Sequence, residues 1–205
     1  MTDGNARIWP MTGHPHWHDG PVQQEFFRPA GDALAWVDEL PEWSLLSPVG
    51  HVDGYWRWRG VAPGSAVKRA AAWGYRAQRG GMGECGVLGA RFEPHEYPYL
   101  RVSVAATLGA ESRRAPDRFL HARVGLPLEY VGGVLAGAFQ EPGIVGPGTL
   151  TFDHAAVHEI DSSWEMLRLL AIGVVRLLGL PSDGRIPMDL LPRFGGSAPG
   201  APGAD

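Results

Sequence analysis

Cysteine is almost absent from this chain. The single residue, Cys85, excludes an internal disulfide framework and fits a reducing compartment. Lysine is equally scarce. Lys68 is the only one, so positive charge rests on arginine. Neither sign of charge is in large excess: the formal net charge is −4, with 20% charged residues. That balance excludes a broad basic face for non-specific nucleic-acid binding and leaves room for a local basic tip. No apolar run reaches the roughly 18 residues that a membrane span requires. The stretch 167–180 is shorter and is broken by Arg168 and Arg176. No basic region followed by an apolar one opens the chain, so no secretory signal and no membrane partner are expected, and the cytoplasm is the default. No G-x-x-x-x-G-K-[ST] sequence offers a phosphate cradle for GTP. No nucleophile and base, paired carboxylates or ligand cluster converge on one element, so no catalytic residue, cofactor or metal is expected. The H-x-H-x-H of His14, His16 and His18 lies in a stretch without periodicity, where adventitious metal binding is the expectation.

What is present suits one core with appendages. The chain has 205 residues, of which 44% are hydrophobic. Residues 1–20, rich in Pro, Gly and His, read as a flexible arm, and 195–205 as a disordered tail. Residues 21–65 form an aromatic-rich N-terminal extension that includes Phe26, Phe27, Trp36, Trp43, Trp56 and Trp58. Residues 66–194 form the main domain. Within the extension, 33–40 suggests a short helix and 55–59 a half-buried strand. Strands are expected over 66–78, 86–94, 100–107, 120–124 and 149–152, with a last one over 185–191. Helices are expected over 127–140 and 162–178. The alternation predicts an α+β fold, a mixed sheet covered on one face by two helices.

Two segments carry chemistry. The first is HEIDSSWEMLRLLA, residues 158–171. Asp161, Ser162 and Ser163 are candidate helix caps, and Glu165 stands at capping-box spacing from Ser162. Met166, Leu167, Leu170, Val174, Leu177 and Leu178 then recur at helical spacing. A loop bearing His158 is thereby joined to a well-anchored helix. The second is the glycine-dense turn around Arg79, Gly80, Gly81 and Gly83, where glycine permits positive φ and close backbone approach. Arg113, Arg114 and Arg118 make a basic loop, read first as a solvated face.

The segment 158–171 resembles domain IV of elongation factor G, the ribosomal translocase, with its tip histidine, acidic residue, D-S-S and amphipathic helix. Two further segments match in order. YRAQRGGMGECGV (75–87), followed by Phe92-Glu93-Pro94, resembles the family's Q-x-G-G-x-G-x-x-G hairpin. FLHARVGLPLEYV (119–131) resembles the strand that leads through I-P-x-E-Y-I into a helix. Together the matches cover residues 71–191. The chain carries Glu84 and Cys85 where family members have a Q-Y or Q-F pair. Asp153-His154 stands where a glycine-bearing turn is usual, with one residue more. The resemblance implies an S5 domain 2-like fold with a left-handed βαβ crossover. It also implies a tip that contacts the ribosome or structured RNA through Arg79, Gly80, Gly81, Gly83, His158 and Glu159. A histidine there can stack on a base or donate to phosphate. The translocase's GTPase domain has no counterpart, so a non-enzymatic, translation-related RNA binder is expected. The alternative is a protein-interaction module docking through Trp36, Trp43, Trp56 and Trp58.

Overall fold

The computed structural model describes residues 22–28, 31–59, 62–63, 66–79, 82–116, 119, 122–158, 160–181 and 186–187. In chain order the strands and helices are β1 (Val22–Arg28), β2 (Gly31–Val37), β3 (Gly50–Arg57), β4 (Arg69–Arg79), β5 (Met82–Pro94), β6 (Tyr99–Ala106), β7 (Arg123–Val124), α1 (Val131–Ala138), β8 (Gly148–Val157) and α2 (Trp164–Leu178). They form an α+β fold around one mixed sheet of order β1-β2-β4-β5-β8-β6-β3, with β7 paired to β8. Every pairing between these strands is antiparallel except that of β6 with β8. The β6–β8 pair is joined through α1, as a parallel connection requires.

The core follows from side-chain alternation. Ala33, Ala35 and Val37 of β2, Trp73 of β4, Leu88 and Phe92 of β5, and Val102 and Val104 of β6 share one buried cluster with Leu167, Leu170, Val174 and Leu177 of α2 and Val131 and Val134 of α1. Both helices therefore cover the same face. α1 and α2 approach closely because small residues meet there. A Cβ added at Gly137 would stand 2.2 Å from the Arg168 carbonyl oxygen, and one at Gly133 would stand 2.5 Å from that of Trp164. The opposite face carries a second cluster that includes Leu34, Trp36, Ala72, Cys85, Val87 and Phe119 and contains no residue of α1 or α2.

Several expectations change. Residues 33–40 were expected to be helical, but 31–37 form β2. Leu34 and Trp36 bury on one face and Ala33, Ala35 and Val37 on the other, so both registers are apolar and the period of two is hidden. The strand expected over 149–152 runs on to Val157. Asp153-His154 is no turn. Gly89 pairs with His154 and Ala90 with Phe152, so Asp153 is the extra residue of a bulge. The bulge flips the alternation: Leu150 and Phe152 face the helices before it, Ala155 and Val157 after it. The aromatic lead-in supplies β1, β2 and β3, with β2 bonded to β4 and β3 to β6. Of the strand expected over 120–124, Arg123 and Val124 pair with β8. The strand expected over 185–191 lies outside the described residues except for Ile186 and Pro187, which are in no strand. The arm 1–20 and the tail 195–205 lie outside them entirely. Among the described residues no helix is long and apolar enough to cross a membrane.

Candidate nucleic-acid interface

The two sequence-selected segments leave the sheet at the same end. β4 and β5 pair as far as Arg79 with Met82 and Gln78 with Gly83. Gly80 and Gly81 lie outside the described residues, as does Glu159. β8 ends at Val157, directly across from Gly86 of β5, and His158 follows. The loop is bound to the hairpin strand by Ser162. Its hydroxyl donates to the Cys85 carbonyl at 2.8 Å and accepts the His158 amide at 2.8 Å. The His158 carbonyl in turn accepts the Ser162 amide at 3.1 Å. Ser162 is buried, so each of these bonds is shielded from competing water.

This geometry corrects the capping assignment. The N-cap of α2 is Ser163, whose hydroxyl accepts the Met166 amide at 3.1 Å. Ser162 is committed to Cys85 and His158 and has no free direction toward the helix. Glu165 does not complete a capping box. It pairs with Arg168, at 2.7 Å, one turn along the exposed side of α2. Asp161 is not a cap either: its carboxylate stands 3.0 Å from Nδ1 of His158.

His158 is more covered than a loop histidine suggests, with 17% of its side chain accessible. Its Nδ1 lies 3.1 Å from the Asp161 amide and 3.3 Å from that of Ile160. With Nδ1 accepting these amides, the neutral ring carries its proton on Nε2. The ring is thus oriented by its own loop.

Arginines gather at the same strand ends. Arg76 is the cross-strand partner of Cys85, and Arg123 that of Val157. An isolated bridge pairs Arg114 with Arg123. Arg76 and Arg123 were not singled out in the sequence. Both lie within segments the sequence marks, Arg76 in the glycine-hairpin motif and Arg123 in the strand expected over 120–124, but nothing in the sequence shows that the two segments meet. Of the basic loop, Arg113 is consumed locally: it donates to Glu111 and to the Leu45 carbonyl. Arg118 lies outside the described residues. Glu84 pairs with Ala77 on the hairpin, and its Oε2 is buried without a hydrogen-bond partner among the described residues.

Cys85 sits inside this end of the sheet, and burial pushes its thiol up to about 12 from 9.0. The thiolate is the reactive form, and burial leaves very little of it near neutral pH. Iodoacetamide should therefore leave the native protein unlabelled over hours at about pH 8 and label it fully after denaturation. Rapid native labelling would show that this end of the sheet opens.

Among the described residues no group of three or more His, Cys, Asp or Glu could hold a metal. No family model, curated protein or solved structure matches the chain. The class defined by the fold itself is an α+β domain with a mixed sheet, two helices on one face, and a hairpin and a histidine loop tied together at one end.

Proposed function

We propose that the protein is a non-enzymatic, elongation factor G domain IV-like binder of the ribosome or of structured RNA, acting through the sheet end where the β4–β5 hairpin meets the His158 loop. The observation that carries this reading is the Ser162 clamp. It fixes the His158 loop against the hairpin strand at Cys85, so two segments about 80 residues apart are held together at one end of the sheet. The order β4-β5-β6-α1-β8-α2, with β6 parallel to β8 and both helices on one face, is compatible with an S5 domain 2-like fold. The left-handed crossover would fall at β6-α1-β8. Arg76 of β4 and Arg123 of β7 place two more arginines on the strands at this end of the sheet. Such charge meets phosphate, while His158 supplies a ring for stacking or a hydrogen bond.

The two contributions separate experimentally. Arg79→Glu should weaken ribosome association and flatten its dependence on log salt by about one unit of slope. His158→Ala should weaken association by about tenfold with little change of slope. Arg79→Glu should keep the wild-type melting temperature, and His158→Ala, which frees two loop amides, should lower it slightly while the protein stays folded at the assay temperature. Unchanged association in both would remove the tip from the interface.

The rival reading, a protein-docking module built on the aromatic segment, keeps Trp56 as its exposed anchor, 41% accessible on the edge strand β3. Trp36 and Trp43 already pack on Phe119. Trp56→Ala discriminates between the two: it should spare ribosome binding and abolish capture only of a protein partner.

A further inference from the structure

On the face of the sheet opposite α1 and α2, a cavity of about 520 Å³ opens beside β2. That volume is within the range of small-ligand sites, roughly 300–1,000 Å³. Its walls are aromatic. Trp36 and Phe119 have ring centroids 6.5 Å apart, and Trp43 and Phe119 5.9 Å apart, with interplanar angles of 33° and 35°. The rings are tilted rather than stacked flat, and Trp43 is the half-buried one of the three. Trp36 and Phe119 are buried, so the walls are set by packing.

Among the described residues the charged lining has one sign: Glu39 and Glu42 stand at this cavity, and no described Lys, Arg or His is among the residues around it. Neither carboxylate has an ion-pair partner among the described residues. The segment that carries them is held at both ends. Asp38, with φ of 62°, accepts two bonds from Arg69 at 2.7 and 3.0 Å. The Ser44 hydroxyl donates to the Pro41 carbonyl at 2.7 Å, and the Leu46 amide to the Asp153 carbonyl at the β8 bulge at 2.9 Å. The carboxylates are thus presented by an ordered turn.

We propose that this pocket binds a small organic cation, an alkylammonium or guanidinium group. Aromatic faces carry negative quadrupole density and attract such a cation. Two unpaired carboxylates at the same opening add to the field and disfavour anions. A metal ion is the poorer match, because the walls offer rings where it needs oxygen donors. The cation could be a free small molecule or the side chain of a basic peptide. The chemistry recognised is the same.

Titration with tetramethylammonium chloride and with acetylated, amidated arginine distinguishes these sources, followed by calorimetry and tryptophan fluorescence. At least one should bind saturably, at about millimolar strength or tighter. The one that binds more tightly identifies the source, and sodium acetate should not bind. The variant Glu39→Gln/Glu42→Gln alters only accessible carboxylates and should fold normally. It should bind about tenfold more weakly. Trp43→Leu should weaken binding further, checked against its melting curve. The tip is not involved, so Arg79→Glu should bind both cations as wild type does, and failure to bind ribosomes leaves this site standing. No saturable binding of either cation below about 50 mM, or undiminished binding by the double glutamine variant, overturns the proposal.

Discussion

Gly173→Val should destabilise the protein by about 3 kcal/mol or more, the largest effect expected of any single substitution in α2. A Cβ at that position would stand 1.9 Å from Cε3 and 2.3 Å from Cζ3 of Trp73. Trp73 is 1% exposed and is among the largest side chains in the core, between β4 and α2. It cannot swing away without opening the sheet–helix interface. Replacing a mid-helix glycine ordinarily favours the helix by up to about 1 kcal/mol, which is too little to offset the overlap. Even Gly173→Ala should therefore lose stability. The control is Trp73→Leu combined with Gly173→Ala. The alanine should cost much less in that background, giving a coupling of about 1 kcal/mol or more. Chemical denaturation checks both. A valine variant as stable as wild type would mean that α2 does not lie on Trp73.

The second large effect is a loss of stability in mild acid, centred on His154. The ring is buried, with its Nδ1 2.6 Å from the Asp153 carboxylate. Burial, with Arg91 nearby, lowers its pKa to about 4 from 6.5. Asp153 alone would act the other way, but its carboxylate is also paired with Arg91. Its charge is thereby largely spent, and the cost of charging a buried ring wins. Above pH 6.5 the ring is neutral folded or unfolded, and the fold loses nothing. Between 6.5 and 4 the unfolded chain takes up a proton that the folded chain refuses, so stability falls as pH falls. At full effect the loss is on the order of 3 kcal/mol. His154→Asn keeps a side-chain nitrogen near the position of Nδ1 and cannot charge. Its denaturation midpoint should vary less over that interval than that of wild type, and an equal dependence would assign the acid sensitivity elsewhere.

The legible parts of the fold were those with a period or a punctuation mark. α2 repeats its leucines at helical spacing, and α1 follows Pro127 closely. The β4–β5 hairpin announced itself through its glycines. β2 was illegible because both of its faces are buried, one under the helices and one under Trp43 and Phe119. β1 pairs only with β2, and the run VQQEFFR has no alternation to mark it. Asp153 could not be read as a bulge, because a bulge is a property of two strands. At the tip, the sequence singled out Asp161 and Ser162 but assigned them the wrong partners. Any of three adjacent oxygens could have capped α2. Only the proximity of Cys85, 77 positions away in sequence from Ser162, decides that Ser163 does so. The cation pocket was invisible for the same reason: Trp36, Trp43 and Phe119 meet only once β2 is in the sheet.

The most direct test of the proposed ribosomal or RNA contact is co-sedimentation of the wild-type protein with purified small ribosomal subunits across a range of salt concentrations. The expected result is saturable pelleting at low salt that weakens log-linearly as salt rises, with a slope of about two to three from the few arginines at the tip. Arg79→Glu should lie on a shallower line. Protein that stays in the supernatant at the lowest salt, while its melting curve shows it folded, would contradict the ribosomal reading.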